Sequence, residues 1–77
     1  MKQSIVYSQP NCVACNTAKQ LLQAADYEVV ERKIGDGFWT KEDLFRDFPG
    51  ARSVPQISIG GVSIGGLPEL RKYLLAQ

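Results

Sequence analysis

Cys12 and Cys15, separated by Val13 and Ala14, are the only thiols in this chain. Cysteines three apart on the first turn of a helix share one face, with α-carbons within the roughly 4.4–6.8 Å that a disulfide spans. Such a pair opens and closes with little backbone movement, which is the chemistry of thiol–disulfide exchange. The chain has no histidine. That removes Cys-His nucleophilic catalysis, any histidine base and the mixed Cys/His zinc sites. Whatever activates a thiol must come from backbone amides, lysine or arginine. Cys12 at a helix start faces unpaired amides and the positive end of the helix dipole. Both favour thiolate over thiol and make Cys12 the attacking sulfur. Cys15, one turn in, suits the second attack, on the mixed disulfide that Cys12 forms with a substrate.

Three plainer readings compete. A structural zinc site needs four ligands, which two cysteines cannot supply in one chain. A purely structural disulfide closing so short a loop would constrain the unfolded chain little. Two idle buried thiols remain an alternative, and it is the placement after a strand and at a helix start that favours the redox reading.

The elements that must position the pair are legible in outline. Gln3 to Tyr7 reads as a strand, ended by the turn Gln9-Pro10-Asn11. From Cys12 to about Ala25, Ala14, Ala18, Leu21, Leu22 and Ala25 recur at helical spacing, with Asn11 as the expected N-cap. Tyr27 to Ile34 predicts a second strand, its alternation interrupted by Glu31-Arg32-Lys33. Gly35-Asp36-Gly37 is a loop. Thr40 then caps a short helix, with Asp43 as the reciprocal acid and Leu44, Phe45 and Phe48 as core candidates. Pro49-Gly50 ends it. Gln56–Ile59 and Val62–Ile64 read as a hairpin turned by Gly60-Gly61. Gly65-Gly66 makes the exit turn into a last helix, with Pro68 as its first residue and Leu67, Leu70, Leu74 and Leu75 as its apolar stripe. The order βαβαββα implies a parallel pair joined by a crossover and a late antiparallel edge. The fold class is therefore α/β, a mixed four-stranded sheet flanked by helices, in a single domain over residues 1–77.

Composition narrows the function classes. Hydrophobic residues make up 44% and charged residues 22%, an ordinary globule, and the net charge of +1 has no basic block behind it. Binding to nucleic acid or to anionic lipid is not expected. The N-terminal segment lacks the long apolar core of a signal peptide, and nothing later could span a membrane, so the expected compartment is the cytoplasm. A close cysteine pair in a reducing compartment points to catalysis or metal rather than to a staple.

Three segments in order and spacing, Tyr7 to Cys15, Ser53-Val54-Pro55-Gln56-Ile57 and Ile64-Gly65-Gly66-Leu67-Pro68-Glu69-Leu70, resemble the glutaredoxins. They look like that family's CxxC, its Thr-Val-Pro and its Gly-Gly segment before the last helix, and the resemblance covers nearly the whole chain. Small size and Val13 look closest to bacteriophage glutaredoxins and to redoxins that donate electrons to ribonucleotide reductase. The resemblance implies a thioredoxin-like fold, Cys12 as nucleophile, Cys15 as resolving thiol, and a cis Val54-Pro55 bond beside them. With that bond, the Val54 backbone could pair with an extended substrate. It further implies substrate contacts at Gln9, Val54, Pro55, Gly66 and Leu67, with no tightly bound cofactor and glutathione as reducing co-substrate. The implied acceptors are protein disulfides such as those of ribonucleotide reductase, or glutathione mixed disulfides. The protein would act as a monomer, in the host cytoplasm if phage-encoded.

Some family features are missing. Where glutaredoxins commonly carry a basic residue three positions before the first cysteine, this chain has Gln9. Where a small residue and an aspartate commonly follow Gly-Gly, it has Leu67 and Pro68, and Pro68 lacks an N–H. The Gly66 and Leu67 amides could still hold a carboxylate. Glu69 could pair with a ligand ammonium but would repel its carboxylate. These departures imply a weaker glutathione site, or a thioredoxin-reductase-dependent redoxin. A dimer holding a [2Fe–2S] cluster is a further class, but Val13-Ala14-Cys15 stands where such carriers have Gly-Phe-Ser. Phe38 and Trp39 read as a packing cluster, Lys19 as a solvated lysine, and Arg52 as a candidate for an anionic ligand group.

Overall fold

The computed structural model describes residues 2–35, 37–51 and 53–76. Its elements follow the expected order: β1 (Lys2–Ser8), α1 (Val13–Ala24), β2 (Tyr27–Lys33), α2 (Lys41–Asp47), β3 (Gln56–Ile59), β4 (Val62–Gly65) and α3 (Leu67–Leu75). The sheet order is β2-β1-β3-β4. β1 pairs parallel with β2 and antiparallel with β3, and β3 pairs antiparallel with β4. Gly60 and Gly61 turn the β3–β4 hairpin with φ of 59° and 83°, the positive values that a two-residue turn of this kind demands.

Side chains alternate across a strand, and β1 uses both faces. Val6 joins Ala18 and Leu22 of α1, Leu70 of α3, and Ile57 and Ile59 in one buried cluster. Ile5 and Tyr7 point the other way, to a second cluster with Leu44 of α2, Phe48, Ile34, Trp39, Ala51 and Val54. The sheet is thus covered by α1 and α3 on one face and by α2 on the other. Leu22 and Leu70 are both fully buried, and each burial stabilises the fold by about 1.5–3 kcal/mol. Among the described residues no helix is long and apolar enough to cross a membrane.

Local signals account for the short helix. The Thr40 side chain accepts from the Asp43 amide at 3.3 Å, and the Asp43 carboxylate accepts from the Thr40 amide at 3.0 Å. This reciprocal capping box satisfies two end donors of a helix too short to stand on propensity alone.

Four expectations need correcting. The N-cap of α1 is Cys12, not Asn11, because the Cys12 sulfur takes the amide of Cys15; Asn11 sits in the left-handed region at φ 60°. Phe45 is 46% exposed rather than a core residue, since α2 turns only Leu44 inward. Leu75 is exposed, and Tyr73 packs on the core in its place. Leu67 precedes Pro68 as the first residue of α3.

Candidate active site

The three segments that bear on the chemistry meet because the strands deliver them to one end of the sheet. β1 runs out at Ser8 into the Gln9–Asn11 turn and Cys12. Its antiparallel neighbour β3 begins at Gln56, opposite Tyr7, so Val54 and Pro55 lie at that same end. β4 ends at Gly65, opposite Ile57, and hands the chain to α3 there too. The Val54–Pro55 peptide bond is cis.

Cys12 and Cys15 are joined as a disulfide, with α-carbons 5.2 Å apart. The two sulfurs differ in surroundings. Cys12 is half-buried, beside a Val13 that is 80% exposed, and its Sγ accepts the Cys15 amide hydrogen bond at 3.1 Å. Cys15 is 1% exposed. A donor aimed at the Cys12 sulfur stabilises negative charge there, and Cys12 is the less buried of the two cysteines. Burial reserves Cys15 for an intramolecular partner.

A cavity of about 300 Å³ beside this end is lined by Gln9, Ile34, Lys41, Leu44, Phe45, Ser53 and Val54. It brings two of the expected substrate-contact residues, Gln9 and Val54, to one groove. It also adds Phe45, expected in the core, and the cation of Lys41, which the pattern of the sequence did not single out. Pro55 and Gly66 meet separately: a Cβ built on Gly66 would stand 3.4 Å from the Pro55 carbonyl oxygen. Leu67, the first residue of α3, is half-buried against the core. Arg52 lies outside the described residues. A larger cavity, about 540 Å³, opens on the α2 face and is lined by Tyr7, Arg32, Arg46, Asp47 and the serines of the hairpin, with neither cysteine near it.

A family model described as Glutaredoxin matches residues 5–64. The chain belongs to the glutaredoxin family. A glutaredoxin of Neisseria meningitidis serogroup A is 35% identical over 77 residues, covering 100% of this chain and 88% of that one. The structure of reduced Escherichia coli glutaredoxin superposes with a TM-score of 0.84 at 25% identity, covering 97% of this chain and 95% of the other. A buckwheat glutaredoxin solved as its glutathione complex gives a TM-score of 0.73 at 27% identity, covering 97% and 70%. These relatives are bacterial and plant proteins and lend no support to the likeness to bacteriophage members. Family and fold make the chain a thiol–disulfide oxidoreductase with a thioredoxin-like fold, and the family's partners are glutathione and protein disulfides.

Two polar clusters tie β1 to its surroundings, one toward α1 and one on the α2 face. Ser8 is fully buried and donates to Glu31 Oε2 at 2.6 Å; Lys19 Nζ donates to the same oxygen at 2.9 Å. Lys19 is thus tied to β2 rather than merely solvated. The second cluster lies on the α2 face, where Tyr7 Oη donates to Asp47 Oδ2 at 2.5 Å and accepts from Arg32 at 2.9 Å. The Arg32 guanidinium stacks 4.4 Å from the Trp39 ring, and Trp39 meets Tyr7 edge-on. Trp39 is a packing residue as expected, while Phe38 is 86% exposed. Burial raises the Tyr7 hydroxyl above its ordinary value, with the Asp47 bond adding to it.

The Ser8 hydroxyl, followed by Lys19, holds Glu31 below the usual carboxylate range; the Tyr7 hydroxyl, followed by Arg46 and Arg32, does the same for Asp47. A carboxylate depressed in the folded state contributes stability above its unfolded value and loses it as pH falls through the folded one. Urea midpoints are therefore expected to drop as pH is lowered through the carboxylate range. Glu31→Gln should give a lower midpoint at neutral pH and a flatter acid profile; an equally steep profile would remove Glu31 from this account.

Proposed function

We propose that the protein is a dithiol glutaredoxin in which Cys12 attacks and Cys15 resolves. The asymmetry of the pair carries the reading: the sulfur of the half-buried Cys12 accepts a backbone amide, while Cys15 is buried in the first turn of α1. The Cys12 thiolate attacks one sulfur of a substrate disulfide, and the other sulfur leaves with the bonding electrons as a thiolate. The Cys15 thiolate then attacks Cys12 in the mixed disulfide, releasing the second substrate thiol and closing the Cys12–Cys15 bond. Two glutathione molecules supply the two electrons that reopen it and leave as glutathione disulfide. The buckwheat glutathione complex supports glutathione as co-substrate.

In this reading the Val54 backbone, Gln9 and the Lys41–Phe45 groove hold the substrate, Lys41 supplying the positive charge that Gln9 lacks. Pro55, Gly66 and Leu67 frame the opposite side. The acceptors are protein disulfides, ribonucleotide reductase among them, and glutathione mixed disulfides. The protein works as a monomer in the cytoplasm. A second reading, with thioredoxin reductase as electron source, is favoured by Pro68, which withholds an amide at the start of α3.

The test couples reduction of a small disulfide to NADPH oxidation, once through glutathione and its reductase and once through thioredoxin reductase. Turnover is expected with glutathione. Turnover only with thioredoxin reductase would overturn the glutathione assignment, and turnover with neither would sink the enzymatic reading.

A further inference from the structure

The short connection from β1 to Cys12, residues Gln9 to Asn11, must reverse the chain between two fixed ends. On one side Ser8 is fully buried, its hydroxyl bonded to Glu31 and its carbonyl accepting the Ile34 amide at 2.8 Å. On the other, α1 is seated by Ala18 and Leu22, both fully buried. Pro10 has φ locked at about −65° by its ring and can absorb little of the turn. The reversal falls to Asn11, whose φ is 60°. A proline followed by a left-handed residue is the order of a type II turn, and glycine and asparagine are the residues that accept the second place.

Among the described residues one other non-glycine, Asp26, has a positive φ. It follows the C-cap of α1, where left-handed residues ordinarily stop helices. Asn11 stops nothing. It is exposed, and its side chain makes no hydrogen bond among the described residues. What sets it apart is its backbone and its place. The next residue, Cys12, is extended at φ −106° and ψ 103°, and from there its Sγ receives the Cys15 amide at 3.1 Å.

We infer that Asn11 is a positioning residue for the redox reaction, acting through its left-handed backbone and not through its side chain. That conformation delivers Cys12 to α1 in the extended geometry that aims its sulfur at the Cys15 amide, the donor that stabilises the thiolate. A residue that resists positive φ forces the turn to relax, Cys12 leaves this geometry, and its thiol becomes harder to ionise. The inference rests on the attacking role proposed above for Cys12.

The test compares Asn11→Gly, Asn11→Ala and Asn11→Val with the unsubstituted protein. Iodoacetamide alkylation of the reduced full-length chain is followed against pH, with mass spectrometry placing the label on Cys12. Asn11→Gly should keep the midpoint of the unsubstituted protein, since glycine adopts positive φ freely. Alanine should raise the midpoint, and valine should raise it further, by about one pH unit, which is a tenfold loss of thiolate below the midpoint. If the valine variant fails to fold, alanine decides. A raised midpoint in Asn11→Gly would assign the effect to the side chain and overturn the inference. Unchanged midpoints in the alanine and valine variants overturn it as well, leaving Asn11 an ordinary turn residue. Alkylation needs no turnover, so reduction of a small disulfide by the unsubstituted protein tests the oxidoreductase reading separately, and either can fail without the other.

Discussion

Cys12→Ser is expected to bring turnover of every disulfide substrate down to background, a loss of at least roughly a thousandfold, because a serine hydroxyl is not ionised near neutral pH and no base stands by to activate it. The absence of histidine makes this loss more complete than in enzymes with a paired base. The environment of the Cys12 position is built to favour an anion: its sulfur caps α1 and receives the Cys15 amide at 3.1 Å. Serine also caps helices well, so the fold should survive the change. The coupled NADPH assay gives the rates, and the far-UV circular dichroism of the variant confirms the fold. Retention of a tenth or more of the activity would show that the attacking group is elsewhere.

Cys15→Ser is expected to divide the substrates. Glutathione mixed disulfides should keep a substantial share of turnover, since a second glutathione can release the product from Cys12. Reduction of protein disulfides should fall by on the order of a hundredfold or more, because a resolving thiol held next to its target acts at an effective concentration no dissolved thiol matches. The α-carbons are 5.2 Å apart, so that advantage is built into the first turn of α1. Loss of the disulfide itself should matter little for stability, since it closes a very short loop. Cys15 is buried, however, so Cys15→Ala is the companion variant that leaves no buried hydroxyl. The discriminating measurement is the ratio of the two activities. Equal losses on both substrate types would contradict the roles assigned to the two sulfurs.

Much of this was visible in the sequence, and what was missed has a common cause. Features determined within four or five residues emerged as expected: the CxxC at the head of α1, the Thr40–Asp43 capping box and the Gly60-Gly61 hairpin. The strand order also followed, because a crossover and a hairpin leave few ways to arrange four strands. Misreadings occurred where a residue's partner is remote in sequence or where helix rotation decides exposure. Phe45 fits an apolar pattern as well as Leu44 does, yet α2 is only seven residues long and seats only Leu44 in the core. Tyr7 finds its acceptor forty positions away in Asp47, which no local pattern announces. Lys41 belongs to the candidate site only because α2 folds beside Gln9 and Val54. The one-residue shift of the N-cap has a physical reason, since Asn11 sits in the left-handed region while Cys12 has the extended backbone of an N-cap and its sulfur takes the Cys15 amide.

The run Glu31-Arg32-Lys33, which blurred the alternation of β2, gains a purpose from its location. β2 is an outer strand of the sheet, and outer strands offer unpaired backbone groups to any passing chain. Glu31 and Arg32 are held inward by Lys19, Ser8, Tyr7 and Asp47. A strand docking alongside them would have to strip water from charges already committed to other partners. The opposite margin, β4, spans only four residues and carries a bulge in its pairing with β3. Both flanks of the sheet thus resist recruiting extended peptides. That restraint leaves the cysteine end as the place for substrates to meet the protein and keeps the sheet from growing into an aggregate.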